Sequence, residues 1–125
     1  MNRRDEQPHP IRFSCNDNRL NISMDVLHSI GNPTYVQIFV SRDRKTLYIR
    51  GCATKESESF AVAPRVYTDP EYKYILRKAA FSEAICCAQG WDRNGRYRIS
   101  GIPISDKVIG FPFAKAVRLD GRDES

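Results

Sequence analysis

Histidine is scarce in this sequence, with two in 125 residues, and the scarcity removes several chemistries at once. His9 and His28 do not stand at the paired spacing of metal ligands, and the four cysteines (Cys15, Cys52, Cys86, Cys87) contain no C-x-x-C, so no metal site is expected. Neither a G-x-x-x-x-G-K-[S/T] loop nor a G-x-G-x-x-G turn occurs, which takes away the common phosphate cradles. Asp43, Glu83, Asp92 and Asp106 lack metal-type spacing, and no Cys/His signature offers a nucleophile with its base. The expectation is a protein that is not an enzyme and needs no cofactor. Apolar runs long enough to cross a membrane, about 18 residues, are also missing. Residues 1–10 lack the apolar stretch of a secretory signal, so a cytoplasmic chain with four reduced, mostly buried cysteines is expected.

What remains is enough to fold. The hydrophobic share is 41% and the charged share 28%, which suits one soluble domain rather than a disordered tail. Lys and Arg number 20 against 15 Asp and Glu, a net charge of +5, which suits a polyanionic partner. Residues 1–10 read as a flexible basic arm carrying Arg3 and Arg4, residues 11–119 as a single domain, and residues 120–125 as a charged tail.

Along the domain, apolar residues alternate over 11–15 and 19–22 around the turn-forming Asn16, Asp17 and Asn18, which predicts a hairpin. Ser23 stands as an N-cap before a short helix that Gly31 ends. The β-branched and aromatic runs 34–40 and 46–50 form the clearest hairpin, closed by residues 41–45. After a polar break at 54–59 come a short strand at 60–63 and a segment that reads either as a strand at 72–77 followed by a helix at 79–89, the favoured assignment, or as one helix over 70–89. Gly90 ends it, Trp91 packs back, and strands follow at 97–100, 107–111 and 116–119.

The order of elements recurs in residues 11–53 and 60–119: an extended segment, a helix ending in Gly31 or Gly90, then strands starting at Tyr35 or Tyr97. Two such pseudo-repeats complete each other's core, or a homodimer does. The fold class expected is therefore α+β, a small barrel-like antiparallel sheet built from two pseudo-repeats.

Residues 18–31 resemble the G-R-I-x-I-P-x-x-L-R-x-x-L-G signature of the AbrB and MazE swapped-hairpin family, to which MraZ contributes a tandem form. Arg19, Leu20, Ile22, Val26, Ile30 and Gly31 fit without a gap, whereas Asn18, Ser23 and Leu27 depart from it. The likeness covers residues 11–50. It implies an intertwined β-barrel that binds DNA through arginines near its hairpins, and of those only Arg19 carries over by position. The chain also has the general look of small phage and mobile-element proteins.

Phosphate binding needs cations placed to release counterions. The candidates are Arg42, Arg44 and Lys45 on one turn, Arg93 and Arg96 in the corresponding place of the second half, Arg98 on the strand that follows, and Arg19, with Arg3, Arg4 and Arg12 as further cations. The two turns are expected to form one bipartite surface for duplex DNA. Tyr72, Tyr74, Tyr97, Phe111 and Phe113 would make a stacking platform for single strands if exposed, but alternating aromatics more often form core. The function expected is a DNA-binding regulator. The alternative is a phage or mobile-element anti-defence inhibitor whose basic turns bind an acidic protein surface, with capture of a small nucleotide by the same arginines as a third class.

Overall fold

The computed structural model describes residues 9–119; the arm residues 1–8, with Arg3 and Arg4, and the tail 120–125 lie outside them. The elements run β1 (Pro10–Ser14), β2 (Arg19–Ile22), α1 (Met24–Ser29), β3 (Tyr35–Val40), β4 (Thr46–Cys52), β5 (Ser59–Ala61) and α2 (Arg65–Thr68). They continue with β6 (Tyr74–Arg77), α3 (Ala79–Ala88), β7 (Arg96–Ser100), β8 (Ile102–Pro103), β9 (Val108–Pro112), a 3-10 turn (Phe113–Lys115) and β10 (Val117–Arg118). The ambiguous stretch 70–89 is a strand followed by a helix. Tyr74 and Leu76 alternate inward in register with Ile22 and Leu20 of β2, which helical geometry could not achieve.

Two five-stranded antiparallel sheets result, sheet I in the order β10-β7-β1-β2-β6 and sheet II in the order β5-β3-β4-β9-β8. The α+β class stands, but the sheets are not closed into a barrel. Three of their four edges are strands of two or three residues, too short to carry a ladder onward. The chain instead changes sheet through α1, α2, Gly101 and the 3-10 turn. The recurring order of elements is likewise not matched by recurring pairing. β3 pairs with β4, whereas β7 joins β1 and β10 in sheet I and β9 joins β4 and β8 in sheet II.

Local signals explain the helix ends. At both Gly31 (φ +90) and Gly90 (φ +68) the backbone enters the left-handed region that a Cβ disfavours. Each completes a Schellman turn: Asn32 and Trp91 donate N–H to the carbonyls of Leu27 and Cys86 at 2.9 Å, and Gly31 and Gly90 donate to His28 and Cys87 at 3.1 Å. Ser23 does hold the N-cap position of α1, yet its hydroxyl makes no capping bond.

The inner faces of both sheets feed one core, with Ile11, Phe13, Leu20 and Ile99 from sheet I and Val36, Leu47, Ile49, Ile109 and Phe111 from sheet II. Gly101 is the corner where the chain leaves β7 for β8. A Cβ there would lie 2.7 Å from Ile109 Cδ1 and Phe111 Cε2, so any larger residue would force these buried side chains to shift. Trp91 packs back as expected, stacked on Tyr97 at 4.3 Å between centroids and edge-on to Phe113. Tyr67 donates its Oη–H to the Pro33 carbonyl at 2.6 Å, and burial pushes its pKa up to about 12.

One expectation about cysteine is overturned. Cys15, just past β1, is disulfide-bonded to Cys86 of α3, with Cα atoms 6.5 Å apart and a sequence separation of 71. Only Cys52, buried, and Cys87, exposed, are free thiols. Spacing along the chain could not reveal the pair, because a non-local fold contact makes it.

Candidate functional site

Strand alternation sorts the side chains of sheet I into an apolar inner face and an outer face of a different kind. In β1, Ile11 and Phe13 are buried while Arg12 and Ser14 point away from them; β7 repeats this with Tyr97 and Ile99 inside and Arg96 and Arg98 outside. The outward positions of β2 are Arg19 and Asn21, and those of β6 are Ile75 and Arg77.

Pairing register then lines these residues up in rows. Arg98, Arg12, Asn21 and Ile75 form one row, and Arg96, Ser14, Arg19 and Arg77 the next. Arg12 is directly opposite Arg98, and Arg19 directly opposite Arg77. Like charges facing each other across a ladder destabilise a sheet by a few tenths to about 1 kcal/mol, so local stability does not account for this arrangement. No outward-facing strand residue of sheet I is acidic. Asp17, in the β1–β2 turn, bonds Arg19 Nη2 at 2.8 Å, an exposed pair worth little by itself. Among the described residues, Arg12, Arg77, Arg96 and Arg98 have no carboxylate partner.

A depression of about 180 Å³ opens in this face, lined by Arg12, Ser14, Arg19, Asn21, Ile75, Arg96 and Leu119. Its chemistry is that of an anion site. Planar guanidinium forks suit phosphate and carboxylate oxygens and stay charged at any physiological pH.

The other predicted cations fall elsewhere. Arg42, Arg44 and Lys45 are exposed on the β3–β4 turn of sheet II, where Asp43 organises the loop. The Ser41 hydroxyl donates to Asp43 at 2.6 Å and the Lys45 N–H at 3.0 Å, and these bonds hold its carboxyl below the usual carboxylate range. Arg42 and Arg44 border Phe81, Ala84 and Ala88 on one flank of α3, and Gln89 Nε2 donates to the Arg44 carbonyl at 3.1 Å. Arg93 lies on another flank of that helix, 3.9 Å from Glu83. The two turns therefore do not make one bipartite surface; α3 separates them.

Of the expected cations, the fold brings together Arg12, Arg19, Arg96 and Arg98. It also recruits Arg77, which the sequence reading missed. The available signal was the alternation of Tyr74, Ile75, Leu76 and Arg77, which puts Arg77 outward once that stretch is a strand. The aromatic platform does not exist on the surface. Tyr74, Tyr97, Phe111 and Phe113 are buried, and the exposed Tyr72 is covered by the Arg65 guanidinium 4.5 Å from its ring centroid.

Among the described residues no three His, Cys, Asp or Glu side chains group as a metal site, and no helix is long and apolar enough to cross a membrane. Neither a comparison with protein-family models nor searches of curated proteins and of solved structures returned a match.

Proposed function

We propose that this protein binds nucleic acid, duplex DNA in the first instance, by laying the outer face of sheet I against the phosphate backbone. The observation that carries the reading is the pair of directly opposed arginine couples, Arg12 with Arg98 and Arg19 with Arg77, which the fold keeps in spite of their mutual repulsion. A polyanion relieves that repulsion and releases its own counterions in doing so. Five strands at about 4.8 Å spacing span more than the roughly 12 Å of a major groove, so the face contacts backbone rather than base edges and binds many sequences alike. Arg19, the arginine shared with the AbrB-like pattern, lies on this face, which supports a DNA-directed role.

The test is fluorescence anisotropy of labelled random duplex DNA at several salt concentrations. Replacing Arg12 and Arg98 by Gln should weaken binding at least ~10-fold and make the log–log salt slope shallower by about 2, one unit per lost phosphate contact. The turn variant with Arg42 and Arg44 replaced by Gln should bind nearly as the parent does. Equal losses in the two variants would overturn the assignment to sheet I. No binding even at low salt would overturn the nucleic-acid reading in favour of an acidic protein partner, the inhibitor alternative.

A further inference from the structure

The depression around Ser14 differs from the rest of the arginine face in shape and in the number of cations it collects. Ser14 is flanked in the ladder by Arg96 on one side and Arg19 on the other, and Arg12 precedes it by two residues on the same face of β1. Three arginine positions thus flank one small side chain, about 4.8 Å away across the strands and roughly 6.7 Å along β1 at the backbone, and all three side chains line the depression. A larger residue at position 14 would fill the floor; serine leaves it open and adds a hydroxyl to a lining that also holds Asn21. The Arg19 guanidinium at 2.8 Å and the Ser14 hydroxyl at 3.4 Å both donate to Asp17, which orients the wall on that side and offsets part of its positive charge. Ile75 and Leu119 supply apolar rims.

An internal phosphodiester does not match this geometry well. It carries one negative charge, and two of its four oxygens are occupied by sugars. A phosphomonoester carries about −1.5 to −2 charges at neutral pH and presents three free oxygens, one for each arginine. Resting on the nucleic-acid reading, we infer that the Ser14 depression is a subsite for a phosphomonoester, the 5′-phosphate end of a nucleic-acid strand, with Ile75 and Leu119 bracketing the terminal nucleoside. Arg98 on β7 and Arg77 on β6 flank the depression on opposite sides and contact the rest of the duplex backbone.

Anisotropy with a short duplex labelled at one 3′ end, carrying either 5′-phosphate or 5′-hydroxyl termini, tests this directly. The phosphorylated duplex should bind about 10-fold tighter. Ser14→Asp, which puts a carboxylate among Arg12, Arg19 and Arg96, should weaken both duplexes and bring their affinities together, abolishing the preference, with circular dichroism confirming that the variant folds. Arg98→Gln should weaken both duplexes by the same factor and keep the preference. Adding a nucleoside 5′-monophosphate distinguishes the source of the monoester. If it competes only for the phosphorylated duplex, the depression takes monoesters from either source, and failure to compete while the preference persists assigns it to strand ends. Equal binding of the two duplexes would overturn the subsite and leave backbone binding intact, whereas no binding of either would overturn both.

Discussion

Sheets I and II have the same strand number and similar inner faces, yet their outer faces are chemically opposite. Across sheet I the register aligns arginines; across sheet II it aligns Phe39, Tyr48, Gly110 and Ile102 in one row. The one charged strand residue on that outer face, Arg50, is hydrogen-bonded to Gln37 at 2.7 Å. The inner faces resemble each other because both must fill one core. Nothing in folding demands that the outer faces agree. Among the described residues Arg12, Arg77, Arg96 and Arg98 have no carboxylate partner and Arg19 has Asp17, and this one-sided charge is what the proposed nucleic-acid contact would use.

The equivalence of the inner faces can be broken first, because it involves the largest energies. Phe13→Ala in sheet I and Phe111→Ala in sheet II, both residues buried to within 1%, should each destabilise the fold by about 3–5 kcal/mol in urea denaturation. A marked inequality would mean that one sheet carries the core. Reduction of the Cys15–Cys86 bond, which belongs to sheet I and α3 alone, should lower stability by about 2–4 kcal/mol. Amide exchange should then quicken in α3 and the β1–β2 turn and stay slow in β3 and β4. At the corner between the sheets, Gly101→Ala should cost about 1–3 kcal/mol through overpacking against Ile109 and Phe111, read as a lower denaturation midpoint with an unchanged slope.

The smallest effect sharpens the contrast most, because its sign is opposite. Arg98→Thr removes the charge facing Arg12 and adds a good strand former, so it should stabilise the free protein by a few tenths to about 1 kcal/mol. That gain should shrink in high salt, which already screens the repulsion. Unchanged or lowered stability at low salt would show that the arginine pair is not under strain.

Most strands, the short helix and its stop were legible because each is a local pattern of period-two alternation, caps and glycine stops. The elements β8 and α2 went unread, and 70–89, favoured as strand then helix, stays open to a single helix until pairing with β2 decides it. Arg19, Arg96 and Arg98 were legible as cations but not as neighbours. Arg12 and Arg98 lie in strands far apart in the chain, and only the β1–β7 register sets them side by side. The charged turns attracted attention instead because they concentrate cations within a few residues. Yet Arg42 and Arg93 end on different flanks of α3.

By itself, then, the sequence determined which residues extend, which coil and which face each strand presents, since those depend on neighbours within a few positions. Tertiary structure decided that Cys15 meets Cys86, that the sheets stay open, and that five arginines share one surface. Those outcomes depend on which strands pair and in what register. Pairing is selected by burying one continuous core and by the paths of the connections, and a one-residue slip would turn every arginine of a strand to the other side.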